Sequence, residues 1–228
     1  MTTLHPPPRI LLDLDGTLMD TVPDLAAASN RMRRDFGLPP LPVDRIAQYV
    51  GKGTIVLIHR SLTDDLDGRV DEATLARGRE SFYGHYHELN GRETVVFEGV
   101  SEALRMLSEG GLKLACVTNK PREFTVPLLE RLDLADWFSA IVAGDEVKEP
   151  KPDPALLLEA CRRLGCAPRE ALMIGDSLND VLAAHAAGMK ALLVETGYNE
   201  GKSLDTLRKE PALERIVPTL LDAAKHVL

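Results

Sequence analysis

The sequence predicts an α/β fold: a Rossmann-like parallel sheet core with an all-helical segment inserted after the first strand. Three observations predict it. The apolar run Ile10-Leu11-Leu12-Asp13-Leu14 has the length of a buried strand and stops at Asp15-Gly16, a turn signal. The stretch from Thr17 to about Val95 carries helical patterns and no convincing strand. Beyond it, short apolar runs alternate with helical patterns, as parallel strands covered by helices on both faces require.

Each element has its own grounds. Helical periodicity runs over 24–36, 43–50, 54–62 and 71–89, with Pro and Gly breaks between, Leu38-Pro39-Pro40-Leu41-Pro42 among them. Strand-like runs follow at 113–118, 140–143, 172–175 and 191–194, and helices at 100–109, 124–132, 155–164 and 179–187. Gly110 and Gly111, Gly165 and Gly188 stand where helix C-caps belong. The division is a Rossmann-like core over 1–20 and 92–228 and a helical unit over 21–91.

The bulk chemistry excludes several functions. Of 228 residues, 44% are hydrophobic and 27% charged, ordinary for a soluble globular protein. A formal net charge of −8 argues against nucleic acid or anionic membrane as partners, both of which need a basic surface. A small anionic substrate stays possible through a local cation or a metal. The three cysteines, Cys116, Cys161 and Cys166, form no CxxC pair and read as free thiols of a reducing compartment. Met1 to Pro8 holds three consecutive prolines and no apolar stretch of a leader. No apolar run approaches the roughly 18 residues of a membrane span. The expected location is therefore the cytoplasm, with the oligomeric state open between monomer and homodimer.

In open parallel sheets, ligands bind beyond the carboxyl ends of the strands. Asp13 and Asp15, then Thr118 and Asn119, then Lys151 in a loop, then Asp176 stand there. Asp13 and Asp15 are two apart, so on a strand they face one place. Two adjacent carboxylates repel unless a cation lies between them, which suggests a hard divalent ion such as Mg²⁺. They also supply a nucleophile and an acid/base. The bland alternative is a strand leaving through an Asp-Gly turn. Thr118 and Asn119 can donate hydrogen bonds to phosphate oxygens, or simply end a strand. Lys151 sits in Glu149-Pro150-Lys151-Pro152, where flanking prolines stiffen the backbone; otherwise it is a solvated loop lysine. In Gly175-Asp176-Ser177-Leu178-Asn179-Asp180, Ser177 and Asp180 fit a capping box, which is compatible with Asp176 binding metal. Each signal alone is modest. Their occurrence in order at successive strand ends favours a site.

Taken together these residues resemble the four motifs of the haloacid dehalogenase superfamily: Asp13-x-Asp15-Gly16-Thr17, Thr118, Lys151, and Gly175-Asp176-x-x-x-Asp180. The helical unit resembles that superfamily's α-helical cap. Within it the chain looks most like the bacterial phosphoglycolate phosphatases, on the run from Asp13 to Leu25 and on Tyr49-Val50-Gly51-Lys52-Gly53 with Arg60. One departure is Lys52, where that group often has Asn. The resemblance implies that Asp13 attacks phosphorus and becomes an aspartyl-phosphate, with Asp15 as acid and base. It implies Mg²⁺ held by Asp13, the backbone carbonyl of Asp15, and Asp176, with Asp180 behind them. Gly16, Thr118, Asn119 and Lys151 are implied to cradle the phosphoryl group. Lys52 and Arg60 are expected to contact substrate from the cap, pairing with its carboxylate. The expected reaction is hydrolysis of 2-phosphoglycolate. Another small phosphometabolite (a sugar phosphate, a nucleotide, pyrophosphate) and a phosphosugar mutase on the same scaffold are the alternatives.

Other residues carry less. His85 and His87 are two apart on a helix and face different directions. The methionines are dispersed and suit cores. Gly144-Asp145-Glu146 is most simply a turn.

Overall fold

The computed structural model describes residues 9–228. The proline-rich start, Met1 to Pro8, and the readings made on it lie outside the described residues. In chain order the elements are β1 (Arg9–Leu12), β2 (Met19–Asp20), α1 (Val22–Asp35), α2 (Val43–Ala47), α3 (Thr54–Thr63), α4 (Glu72–Leu89) and β3 (Val95–Val96). Then come α5 (Val100–Glu109), β4 (Lys113–Val117), α6 (Arg122–Arg131), β5 (Ala140–Val142), α7 (Ala155–Leu164), β6 (Ala171–Gly175) and α8 (Leu178–Ala187). The chain closes with β7 (Lys190–Val194), β8 (Leu213–Val217) and α9 (Leu220–Val227).

Six strands form one parallel sheet in the order β5-β4-β1-β6-β7-β8. Alternation along each strand sends side chains to opposite faces. Ile10, Leu12, Leu114, Cys116 and Ile174 enter one apolar cluster with α5 and α9. Leu11, Ala115, Val117 and Met173 enter another with α7 and α8. Both faces are therefore covered, and β1, paired on both sides, runs through the middle. Its C-terminal end delivers Asp13 to the centre of the sheet edge.

A third cluster fills the helical segment: Met32, Ile46, Tyr49, Leu57, Ile58, Phe82 and Tyr86 pack together, joined by Phe124 of α6. The chain enters and leaves this segment through an antiparallel pair of two-residue strands, Met19 opposite Val96 and Asp20 opposite Val95. The sequence predicts no strand there, because a two-residue strand has no period. The sequence pattern predicts no element beyond Val194, where the structure has β8 and α9. β8 is Leu213-Glu214-Arg215-Ile216-Val217, and its charges suit an edge strand rather than an apolar run.

One buried carboxylate fastens the entry to the exit. Asp24, fully buried, accepts from the backbone N–H groups of Gly91 (2.9 Å), Glu93 (2.9 Å) and Thr94 (3.1 Å) and from the Thr94 hydroxyl (2.6 Å). Removing it would leave both buried Thr94 donors and two partly buried N–H groups without their acceptor. Asp24→Ala is therefore expected to cost about 3 kcal/mol or more and to lower Tm by roughly 6–12 °C in a calorimetric scan. A melt within about 2 °C of the wild type would show that the loop does not depend on it.

Candidate active site

Asp13 follows β1 directly, its N–H bonded to the Ile174 carbonyl at 3.0 Å. Lys151 stands behind it, its Nζ 2.9 Å from Asp13 Oδ1, 2.7 Å from Asp180 Oδ1 and 2.9 Å from the Val117 carbonyl. Those three acceptors use all three donors of the ammonium. The other oxygen of Asp180 accepts from the Ser177 N–H (3.1 Å) and hydroxyl (2.9 Å), the capping interaction that opens α8. A single residue thus caps a helix and seats Lys151. Asp176, at the end of β6, accepts from the Thr17 hydroxyl at 3.3 Å and the Tyr198 N–H at 3.0 Å. A Cβ on Gly197 would come within 1.9 Å of its Oδ2, so only glycine lets the loop after β7 lie against this acid.

Asp15 is held apart from that cluster. Its Oδ1 accepts from the Thr21 hydroxyl at 2.7 Å and from Lys120 Nζ at 2.8 Å. Lys120, which the sequence reading passed over, has a side chain only 4% exposed, with the Tyr86 ring centroid 5.2 Å from its ammonium. Its only sequence signal is its place, two residues after Thr118 at the end of β4.

Thr118 is buried beside Asp13, and its hydroxyl accepts from the Lys120 N–H at 3.1 Å. Asn119 acts as a clamp. Its amide exchanges two bonds with the Lys151 backbone, both 2.8 Å, and donates to the Gly51 carbonyl at 3.0 Å. Gly16 has φ +87°, and its N–H is bonded to the Met19 carbonyl at 2.9 Å. Asp13, Asp15, Thr118, Asn119 and Lys120 form one side of a cavity of about 30 Å³, faced by Leu25, Val50, Gly51, Gly53, Thr54 and Leu57 from the helical segment. That volume holds about two waters, so the segment is closed over the site.

The two remaining candidates stand elsewhere. Arg60 is buried and donates to the carbonyls of Tyr49 (3.2 Å) and Leu66 (2.8 Å) and to Glu200 Oε1 at 2.6 Å. Lys52 Nζ reaches the same Glu200 oxygen at 3.1 Å. Neither is in the cavity wall. His85 pairs with Asp35 and His87 with Glu123, well apart, as their spacing suggested. Asp145 and Glu146 form a short 3₁₀ turn, capping the N–H groups of Arg122 and Ala143.

Burial and crowding of like charge set the electrostatics. Burial pushes the Asp13 carboxyl up to about 7; Lys151 opposes this, and Asp180 and Asp15 add to it. Asp176 is raised well above the carboxylate range by burial, then by Asp180 and Asp13. Burial works against charge on Lys151, but Asp13 and Asp180 outweigh it and hold the ammonium above its ordinary value. Oxygens of Asp13, Asp176 and Asp180 lie within 4.8 Å of one another, with one lysine among them. With Asp180 committed to Lys151 and Ser177, the acids with lone pairs to spare are Asp13 and Asp176. An all-oxygen, net-negative cluster of this kind suits a hard divalent cation such as Mg²⁺.

A sheet whose strand ends gather these acids and lysines beneath a helical segment defines a class. The family profile described as haloacid dehalogenase-like hydrolase matches residues 10–194. A phosphoglycolate phosphatase of Nitrosospira multiformis is 44% identical over 218 residues, covering 96% of this chain and 94% of the relative. Another, of Chromobacterium violaceum, is 45% identical over 195 residues, covering 86% and 88%. The crystal structure of a predicted phosphoglycolate phosphatase from Haemophilus somnus superposes with a TM-score of 0.88 at 29% identity, over 97% of this chain and 98% of that one. The chain belongs to the haloacid dehalogenase-like hydrolases. It is an enzyme of the phosphatase class.

Proposed function

We propose that the chain is a Mg²⁺-dependent phosphomonoesterase that hydrolyses 2-phosphoglycolate to glycolate and phosphate through an aspartyl-phosphate. The carrying observation is Asp13, a cavity-wall carboxylate with Lys151 Nζ 2.9 Å behind it and Asp15 beside it. In the first step an Asp13 oxygen bonds to phosphorus and the ester P–O bond breaks, its electron pair going to the glycolate oxygen. Asp15 gives that oxygen a proton. In the second step water attacks phosphorus, Asp15 takes its proton, and the bond to Asp13 breaks to release phosphate. Thr118 donates its hydroxyl hydrogen to a phosphoryl oxygen, Lys151 holds the Asp13 carboxylate that attacks, and Asn119 fixes Lys151. Asp13, Asp176 and the Asp15 carbonyl are the proposed ligands of Mg²⁺, which supplies charge neutralisation when bound. Asp180 serves from behind by seating Lys151.

The helices over 21–91 are proposed to act as a cap that opens on the strand pair at Asp20 and Val95 and excludes water when closed. Small substrates suit a cavity this tight, and the reading fits a cytoplasmic enzyme without nucleic acid or membrane partners. Among the described residues no helix is long and apolar enough to cross a membrane. The substrate is tested by kcat/KM for 2-phosphoglycolate against ethyl phosphate, a phosphomonoester of similar size that lacks the carboxylate. A clear preference for the carboxylate supports it, and equal values overturn it.

The acid/base role has its own test. Asp15→Asn is expected to slow turnover by about 10²–10⁴-fold with 2-phosphoglycolate. The loss should be smallest with p-nitrophenyl phosphate, whose leaving group needs no proton. An equal loss for both substrates would reassign Asp15 to holding Lys120.

A further inference from the structure

We propose, resting on the phosphoglycolate reading, that Lys120 is a specificity-determining residue whose ammonium pairs with the substrate's carboxylate. The cavity wall holds two acids, Asp13 and Asp15, and among the described residues Lys120 is its one cation. A carboxylate entering there meets Leu25, Val50 and Leu57 on the helical side, where an unpaired charge is strongly unfavourable. It needs a cation within the wall.

The other lysines and arginines near the site are committed. Lys151 spends its three donors on Asp13, Asp180 and the Val117 carbonyl. Arg60 and Lys52 both converge on Glu200, so the core supplies the carboxylate that the cap cations were expected to find on the substrate. Lys120 gives Asp15 one hydrogen bond, at 2.8 Å, and turns a second donor toward Tyr86; of the three an ammonium has to give, one remains for a ligand.

Its placement is fixed rather than loose. The Lys120 N–H is tied to the Thr118 hydroxyl at 3.1 Å, and its carbonyl accepts from the Gly144 N–H at 3.0 Å. Asp15 and the Tyr86 ring hold the ammonium from two elements, one in the core and one in the helical segment. Thr118 on the phosphoryl side and Lys120 two residues on suit a molecule with acids at both ends of a short chain. An ammonium ordered before the ligand arrives loses little freedom on pairing.

The test compares kcat and KM for 2-phosphoglycolate and ethyl phosphate in wild type, K120M, K120R, K52M and R60M. Damage that Lys120→Met does through Asp15 falls on both substrates and cancels in their ratio. K120M is expected to lose roughly ten- to a hundredfold of the wild-type preference, mainly in KM for the carboxylate. K120R should keep most of it, and K52M and R60M nearly all. A K120M protein with the wild-type ratio, or a ratio lost only in K52M or R60M, overturns the assignment. Failure of the underlying reading is distinct, since wild type itself would then show no preference. Should an unpaired Asp15 cost K120M its fold, D15N/K120M removes both charges. Calorimetry with glycolate should then show binding ten- to a hundredfold weaker than in D15N, and equal binding overturns the proposal.

Discussion

Asp13→Asn is expected to remove phosphate release by roughly 10⁴-fold or more while leaving the fold in place. The amide matches the carboxylate in shape, and its oxygen can still accept from Lys151. Its nitrogen offers no lone pair able to displace an alkoxide. A 10⁴-fold loss corresponds to about 5.5 kcal/mol of barrier, the scale expected when a covalent step is deleted rather than hindered. Stability should move the other way. Burial holds the Asp13 carboxyl near 7 in the metal-free protein, so at pH 8 its charge is a cost that Asn does not carry. Lys151 is not orphaned, because Asp180 remains 2.7 Å from its Nζ. The metal-free mutant at pH 8 should therefore melt no lower than wild type, a trade of stability for function seen where active sites crowd charge. Phosphate release and a thermal melt on the same sample check both halves. A folded mutant with near-normal turnover would end the mechanism, and a much lower Tm would mean that Asp13 is a structural partner of Lys151.

Much of this site could be read from the chain because the sheet imposes order on it. Apolar runs ending at Asp13, Thr118 and Asp176 give both the strands and the residues at their ends, and parallel strands bring those ends to one edge. Lys151 was readable only through its company, since a proline-flanked lysine says nothing of the 2.7 and 2.9 Å contacts that consume it. What stayed hidden depends on tertiary partners. Lys120 differs from a solvated lysine because Asp15 pairs with it and Tyr86, brought from α4, covers it. Arg60 and Lys52 read as substrate contacts until Glu200, 140 residues beyond Arg60, is folded against them. Asn119 looks like a phosphate ligand in sequence, and in the fold its amide is occupied by the Lys151 and Gly51 backbones. β8 was missed because an edge strand tolerates the charges that hide its pattern.

Exhaustive chelation is expected to abolish phosphate release, and added Mg²⁺ to restore it. Asp13, Asp176 and Asp180 place oxygens within 4.8 Å of one another, and a phosphate brings further negative charge to the same spot. One lysine cannot offset that sum. The same crowding sets a pH dependence whose sign is fixed. The folded-state carboxyls of Asp13 and Asp176 are raised above their unfolded values, Asp13 to about 7, by burial first and neighbouring charge second. The metal-free fold therefore holds protons that the unfolded chain releases. Its stability from these groups is full below the unfolded carboxylate pKa and is lost as pH rises through about 7. Mg²⁺ binds the deprotonated acids, so its stabilisation must grow over the same window as the protons leave. Tm of the metal-free protein should fall between pH 5.5 and 8, with Mg²⁺ raising it little at the lower pH and by several degrees at the higher. Ca²⁺, with its larger and looser shell, should stabilise in the same sense yet inhibit turnover. Full activity after chelation, or a Mg²⁺ effect on Tm that shrinks as pH rises, would remove the metal from the site.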